Sequence, residues 1–421
     1  MDNPDDRSPL PQALGGATDK AAIRRPAKSL WPVSEVFLVA LRLGLTSFGG
    51  PIAHLGYFRD EYVKRRQWLD EYTYVDLVAL CQFLPGPASS KIGIAIGINR
   101  AGLLGGLAAW LGFTMPSAIA LILFAYGLAA LGDVSGAGWL HGLKVVAVPV
   151  VALAVWGMAR NLTPDRPRIT LAILAAAGVL FWPNAVAQVG VIVAAGVLGA
   201  FLLPELPTLS LTHRSPVGRW TGAVALVLFA GLLILLPVAA SLVESRPLAV
   251  FDSFYRAGSL VFGGGHVVLP LLQEGVVPPG WVTNDQFIAG YGAAQAVPGP
   301  LFTFAAYLGT TMDLFGGRWM GGLFALAAIF LPGFLLTVGA LPFWDGLRSL
   351  MAFRRALAGV NAAVVGILLA ALYDPVWTVA MKAPQDFALG LGAFVLLAFW
   401  KLPPWLVVVL AAGGGAAIAL V

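Results

Sequence analysis

The sequence predicts an all-α polytopic membrane protein, an inverted repeat of two homologous halves with re-entrant, broken helical hairpins. Three observations predict it. The chain is 59% hydrophobic and only 11% charged, against roughly 25% charged in a soluble domain, too little charge to cover the surface of a water-soluble protein of this length. Apolar stretches long enough to cross ~30 Å of hydrocarbon as helices recur from residues 103–126 through 405–421. One set of landmarks also appears twice, in the same order, with opposite loop charge.

The apolar stretches are continuous rather than alternating with period two, which excludes a β-barrel. Helices carry the span, because each satisfies its own backbone hydrogen bonds in lipid. Cys81 is the only cysteine, so neither an internal disulfide nor a thiolate metal cluster is expected. The net charge of +5 sits largely in the N-terminal segment and loops and suits a cytoplasmic membrane surface rather than nucleic acid. No secretory signal is expected, since the first apolar segment begins only after Trp31. Residues 1–30 are polar, proline-punctuated and basic at Lys20, Arg24, Arg25 and Lys28, and read as a disordered cytoplasmic tail.

The duplication begins at Arg42-Leu-Gly44-Leu-Thr-Ser-Phe48-Gly49-Gly50, which reappears as Arg256-Ala-Gly258-Ser-Leu-Val-Phe262-Gly263-Gly264. A loop with a tryptophan follows in each copy, Trp68 and Trp281. Gln82-Phe-Leu-Pro85-Gly86-Pro87 then matches Gln295-Ala-Val-Pro298-Gly299-Pro300, and Gly105-Gly106 with Pro116 matches Gly321-Gly322 with Pro332. Four landmarks at nearly constant offset indicate a tandem repeat, expected over residues 31–217 and 218–421.

Loop charge sets the orientation. The first copy's loop runs Arg59-Asp-Glu-Tyr-Val-Lys64-Arg65-Arg66, whereas its counterpart from Gln273 to Asp285 contains no lysine or arginine. Cytoplasmic loops collect Lys and Arg, so the two copies insert in opposite senses. Arg160, Arg166, Arg168, His213, Arg214, Arg219, Arg348, Arg354, Arg355 and Lys401 fit the same path. The N-terminus is then cytoplasmic and the C-terminus periplasmic. Inverted repeats place substrate at their interface near the midplane, between broken helices, and the breaks here are Phe48-Gly-Gly-Pro51 and Pro85-Gly-Pro87 with their second copies.

The residues able to carry chemistry lie at those breaks. At Pro85-Gly86-Pro87 one helix stops and another starts, and Pro87 suits the first turn of the new helix. Ala88-Ser89-Ser90-Lys91 puts two hydroxyls and an ammonium at a helix N-terminus, where free amides and the positive dipole end favour an anion. A cation there is normally disfavoured, and a bound anion removes the conflict; the alternative is a Lys91 that snorkels into headgroups. In the second copy Pro298-Gly299-Pro300 leads into Leu301-Phe-Thr303 without a lysine, so the two sites are related but not equivalent. Gln82 and Gln295 either hydrogen-bond a substrate, cap the broken end, or act as glue between helices.

Arg42 and Arg256 lie inside apolar segments, where a buried arginine costs ~3 kcal/mol or more and needs a partner or a pore. A guanidinium matches a tetrahedral oxyanion bidentately; the alternative is that each satisfies broken-helix carbonyls. Gly49-Gly50 and Gly263-Gly264-Gly265 permit close backbone approach to an ion, or tight hairpin packing. His54, His266 and Asp76 are candidates for proton coupling, each with a purely structural alternative. No phosphate-binding loop, zinc-ligand histidine pair or Ser-His-Asp set is suggested, and no cofactor is called for.

Phe48-Gly49-Gly50-Pro51, the basic loop ending in Gln67-Trp68-Leu69, Gln82-Phe-Leu-Pro85-Gly86-Pro87 and their degenerate second copies resemble the chromate ion transporter family in its long-chain, two-domain form, over roughly residues 33–375. The resemblance implies chromate efflux and chromate resistance in a bacterial plasma membrane, with sulfate as a chemically similar competitor. Lys91 departs from the glutamine common at that position in the family, and its added positive charge still favours an anion. Outward transport fits the physics: an inside-negative potential is worth ~2.3 kcal/mol per charge per 100 mV, so expelling a dianion gains about 4.6 kcal/mol, or roughly three decades of concentration ratio. The expected partners are the oxyanion and the lipid bilayer, with no nucleic acid; a homodimer is left open, as is proton antiport. A membrane enzyme acting on lipid phosphates would want paired acids or a nucleophile with a base at the breaks, which carry glycine, proline, serine, lysine and glutamine instead.

Overall fold

The computed structural model describes residues 32–48, 50–131, 137–183, 185–204, 215–261, 268–347 and 350–419, and every regular element among them is helical. The expected tail lies outside the described residues, as do Gly49, Gly263, Gly264 and His266.

The first hairpin consists of α1 (Pro32–Thr46) and α2 (Gly50–Phe58), the latter continuing as a π-helical segment, Arg59–Arg65. At 1.5 Å per residue, α1 reaches only about 22 Å, less than a bilayer core. Both ends of the hairpin return to one side. Glu35 at the start of α1 pairs with Arg66 and Arg100, each at 3.1 Å, and those two guanidiniums lie over the Trp68 ring at 5.6 and 5.1 Å. Glu61 joins the cluster: burial would raise its pKa, but hydrogen bonds from Arg65 and Arg66 outweigh that and hold the carboxyl below its usual range.

The second hairpin starts at α3 (Glu71–Phe83), whose N-cap Asp70 accepts the Thr73 amide at 2.8 Å. Its return arm is the beginning of α4 (Ala88–Ala130), which is interrupted at Ala101 and at Gly102 (φ 68°). The chain doubles back there, so that a Cβ added to Gly97 would lie 2.3 Å from the Gly105 carbonyl oxygen. Residues 103–130 then form a full-length arm, followed by α5 (Gly138–Leu162), α6 (Arg166–Phe181) and α7 (Ala185–Leu202).

After α8 (Arg219–Leu242) the plan repeats. Hairpin helices α9 (Arg246–Leu260) and α10 (Val268–Val276) are followed by α11 (Asn284–Ala294), a 3-10 turn Leu301–Thr303 and α12 (Phe304–Met312). The tight reversal recurs, with a Cβ on Gly309 falling 2.2 Å from the Gly321 oxygen. Long α13 (Arg318–Ala340), short α14 (Trp344–Leu347), α15 (Met351–Ala371), short α16 (Thr378–Ala380), α17 (Pro384–Ala398) and α18 (Pro404–Ile418) complete the chain. Among the described residues five helices, within residues 88–130, 138–162, 219–242, 318–343 and 351–380, are long and apolar enough to cross a membrane.

The halves are interleaved rather than adjacent. Helix α5 packs against α17 and α18, while α15 packs against α6 and α7, through backbone-close contacts such as Gly142 on Ala411 and Gly366 on Ala172. The largest apolar cluster draws residues from both halves. Contacts at the two ends confirm the opposite sense of the copies. The start of α5 meets the start of α11 through Lys144–Asp285 at 2.9 Å and the start of α17 through His141–Asp386 at 2.7 Å. At the other end, Asp76 near the start of α3 accepts the Trp344 indole N–H at 3.0 Å. Helices α3 and α11, equivalent in the repeat, therefore begin at opposite ends.

Candidate functional site

The two Pro-Gly-Pro breaks meet the opposite copy in the middle of the molecule. The Gly86 N–H donates to the Val261 carbonyl at 2.5 Å, and the Gly299 N–H donates to the Ser47 carbonyl at 2.9 Å. Val261 and Ser47 occupy equivalent positions, the residues where α9 and α1 stop, so the two bonds are mirror copies of each other. Both glycines take a positive φ, 103° and 93°, which side chains with a Cβ rarely adopt. Gly86 also sits against Gly258 and Gly333, and Gly299 against Gly44 and Ser117, again matching positions. Each break is thus pressed onto the first hairpin and the proline-kinked long helix of the other half.

Between the breaks lies a cavity of about 880 Å³. It runs from Ser47, Gly50, Gly86 and Gly299 along the second half of α5 to Asn161, Leu162 and Lys401. Among the described residues no lining residue of α5 precedes Val150; its first half is buried and tied down by the Lys144 and His141 pairs. The cavity therefore extends toward the end that carries Arg160 and Lys401 and not toward the other.

Some expected site residues line this cavity: Gly50, Gln82, Gly86, Ser89, Gln295 and Gly299. Gln82 is exposed toward the mouth. Gln295 is deeper; it is bonded to the Tyr291 hydroxyl, and its Nε2 has no partner among the described residues. Pro85, Pro87, Pro298 and Pro300 shape the breaks, with Pro87 and Pro300 in extended conformation immediately before the new helical turns.

Other expectations change in the structure. Lys91 neither snorkels to an interface nor points at the cavity. It is 0% exposed, and its ammonium donates to the carbonyls of Leu84 and Pro85, the latter at 3.0 Å. The lysine satisfies the broken end of α3, so the conflict of a cation at a helix start is resolved by carbonyl oxygens of the preceding segment. Ser90 is buried beside it with its Oγ unpartnered among the described residues, and Thr303 donates to the Pro300 carbonyl at 2.8 Å. Neither arginine lines the cavity. Arg42 is exposed on the outer face of α1, and Arg256 pairs with Asp252 at 2.7 Å. His54 is buried, packs edge-on to Phe113 and bonds through Nε2 to the Ser47 carbonyl at 3.2 Å, bracing the oxygen that receives Gly299.

Sequence reasoning passed over four lining residues: Ser47, Asn161, Asn361 and Lys401. The available signal was polarity within an apolar run, since an amide such as Asn361 at membrane depth is costly and marks a pathway or a packed partner.

Comparison with known proteins agrees with this architecture. The family model described as "Chromate transporter" matches the chain twice, over residues 34–200 and 248–417. The chain belongs to the chromate transporter family. Relatives of this family include the chromate transport protein of Pseudomonas aeruginosa, 30% identical over 94% of each chain. The probable chromate transport protein of Synechococcus elongatus is 27% identical over 93% of this chain and 96% of its own, and the chromate transport protein of Cupriavidus metallidurans is 27% identical over 93% of both. No solved structure matches the chain. As a member of the chromate transporter family the protein is a multi-pass membrane transporter and not an enzyme.

Proposed function

We propose that this protein is a secondary transporter that exports chromate across a bacterial plasma membrane and thereby confers chromate resistance. The anion enters the cavity from the basic, cytoplasmic end and is held between the two breaks. One observation carries the reading: the reciprocal Gly86–Val261 and Gly299–Ser47 bonds put both breaks around one cavity whose lining includes Gln82, Ser89 and Gln295. The substrate named for the three relatives supports chromate in particular. Residues Gly50, Gln82, Gly86, Ser89, Gln295 and Gly299 are the proposed contacts, with Lys91 and the four break prolines shaping the site. The halves divide at residues 217 and 218.

In this orientation the N-terminus is cytoplasmic, the cavity is open inward, and the Lys144–Asp285 and His141–Asp386 pairs close the periplasmic end. Export then follows the membrane potential, without need of a nucleotide. The test is chromate uptake into everted membrane vesicles, with and without an imposed potential and with sulfate as competitor. Potential-dependent uptake supports chromate export; uptake of sulfate alone would replace the substrate. A reporter fused after residue 421 should read as periplasmic.

A further inference from the structure

The cavity recognises its anion with uncharged groups, and the pattern of those groups selects a protonation state. Among the described residues Lys401, at the mouth, is the only titratable side chain that lines it. The neighbouring charged or titratable groups, Lys91, Cys81, Arg160, Arg354 and Arg355, sit on the surrounding elements without lining it. Lys91 is already bonded to backbone carbonyls.

Three lining residues carry a buried polar atom without a partner among the described residues: Ser47 Oγ, Gln295 Nε2 and Asn361 Oδ1. Ser47 is 0% exposed and comes from the first break, Gln295 from the second, and Asn361 from the middle of α15. Unpaired buried polar atoms are costly and call for a ligand or water. Gln295 Nε2 donates only, Ser47 donates or accepts, and Asn361 Oδ1 accepts only.

A fully deprotonated tetrahedral dianion offers nothing to an acceptor and is repelled by it. A monoprotonated oxyanion presents oxygens to the donors and an O–H to Asn361. Chromate takes up a proton near neutral pH, whereas sulfate does so only in strong acid. Resting on the chromate-export reading above, we propose that the transported species is hydrogen chromate, with the Asn361 Oδ1 atom accepting its hydroxyl and thereby setting specificity against sulfate.

The charge of the carried species makes the idea measurable. Everted vesicles with equal, buffered pH on both sides and an imposed inside-positive potential are loaded to steady state. A monoanion accumulates ~50-fold per 100 mV and a dianion ~2,500-fold. The first ratio supports the proposal and the second overturns it, and this measurement uses the wild-type protein alone. The initial rate at fixed total chromate should also fall as pH rises, in proportion to the protonated fraction. Asn361→Leu should lower the chromate rate ~tenfold, the loss of one hydrogen bond, and narrow the preference for chromate over sulfate, while Asn361→Gln restores it in part. A wild-type rate and pH profile in Asn361→Leu would overturn the assignment. Absence of any chromate uptake by wild-type vesicles would instead remove the export reading itself, a distinct result.

Discussion

The two Pro-Gly-Pro breaks were copied from one plan and completed differently. Each keeps the parts that build the fold: a positive-φ glycine, an N–H given to the opposite half, and close seating on that half's kinked helix. Their surroundings diverge. In the first break Lys91 ties the Leu84 and Pro85 carbonyls, so the broken end is satisfied from within. The second has no lysine; Thr303 holds the Pro300 carbonyl, and the Gln295 amide keeps an unpaired donor beside the cavity. Duplicated geometry has thus been divided between a braced half and a half with hydrogen-bonding capacity to spare.

The comparison breaks most readily at Lys91. Lys91→Met leaves two buried carbonyls without their donor and should cost ~3 kcal/mol of stability, read as a lower unfolding temperature of the purified protein in detergent. A variant as stable as wild type but inactive in transport would make Lys91 a ligand after all. Next come the glycines. Gly299→Ala should destabilise by ~2 kcal/mol and Gly86→Ala by ~1 kcal/mol, both through the backbone. The order follows from space: a Cβ on Gly299 lies 3.0 Å from Ser117 Oγ and 3.2 Å from the Phe113 oxygen, whereas the nearest atoms to one on Gly86 are 3.4 Å away. The reverse order would show that the second break is the more yielding.

Transport should separate the glutamines. Gln295→Leu is expected to lower the chromate rate ~tenfold, the equivalent of one hydrogen bond. Gln82→Leu, at the exposed mouth, should lower it less; equal losses would mean the two breaks contribute alike. The smallest effects belong to the arginines. Breaking the half-exposed Arg256–Asp252 pair with Arg256→Met should cost ~1 kcal/mol or less. Arg42→Met, on the outer face of α1, should leave vesicle transport within ~twofold, since surface substitutions rarely exceed a few tenths of a kcal/mol.

The repeat was legible in the sequence because its landmarks are glycines and prolines, residues whose backbone demands survive duplication even as side chains drift. Gly86 and Gly299 were found for that reason. Lys91 was found as an oddity but given the wrong surroundings, because its acceptors are the carbonyls six and seven residues behind it, and a linear pattern does not say which way a long side chain turns. Arg42 and Arg256 looked alike in their motifs, yet one faces outward and the other meets Asp252. Asn361 escaped notice because it lies beyond the last landmark, where the copies no longer resemble each other. The exchange of α5 and α15 between halves has no local signature; it rests on contacts such as Gly142 with Ala411, far apart in the chain.

Helix α8 has no partner in the first half, and its consequence is one of parity. The elements from α1 to α7 enter and leave on the same side, so a second copy joined directly would thread the bilayer in the same sense as the first. One additional traverse reverses everything downstream. Excising α8 would leave every hairpin motif intact yet forbid the reciprocal glycine bonds, because the second break would then arrive facing the wrong way.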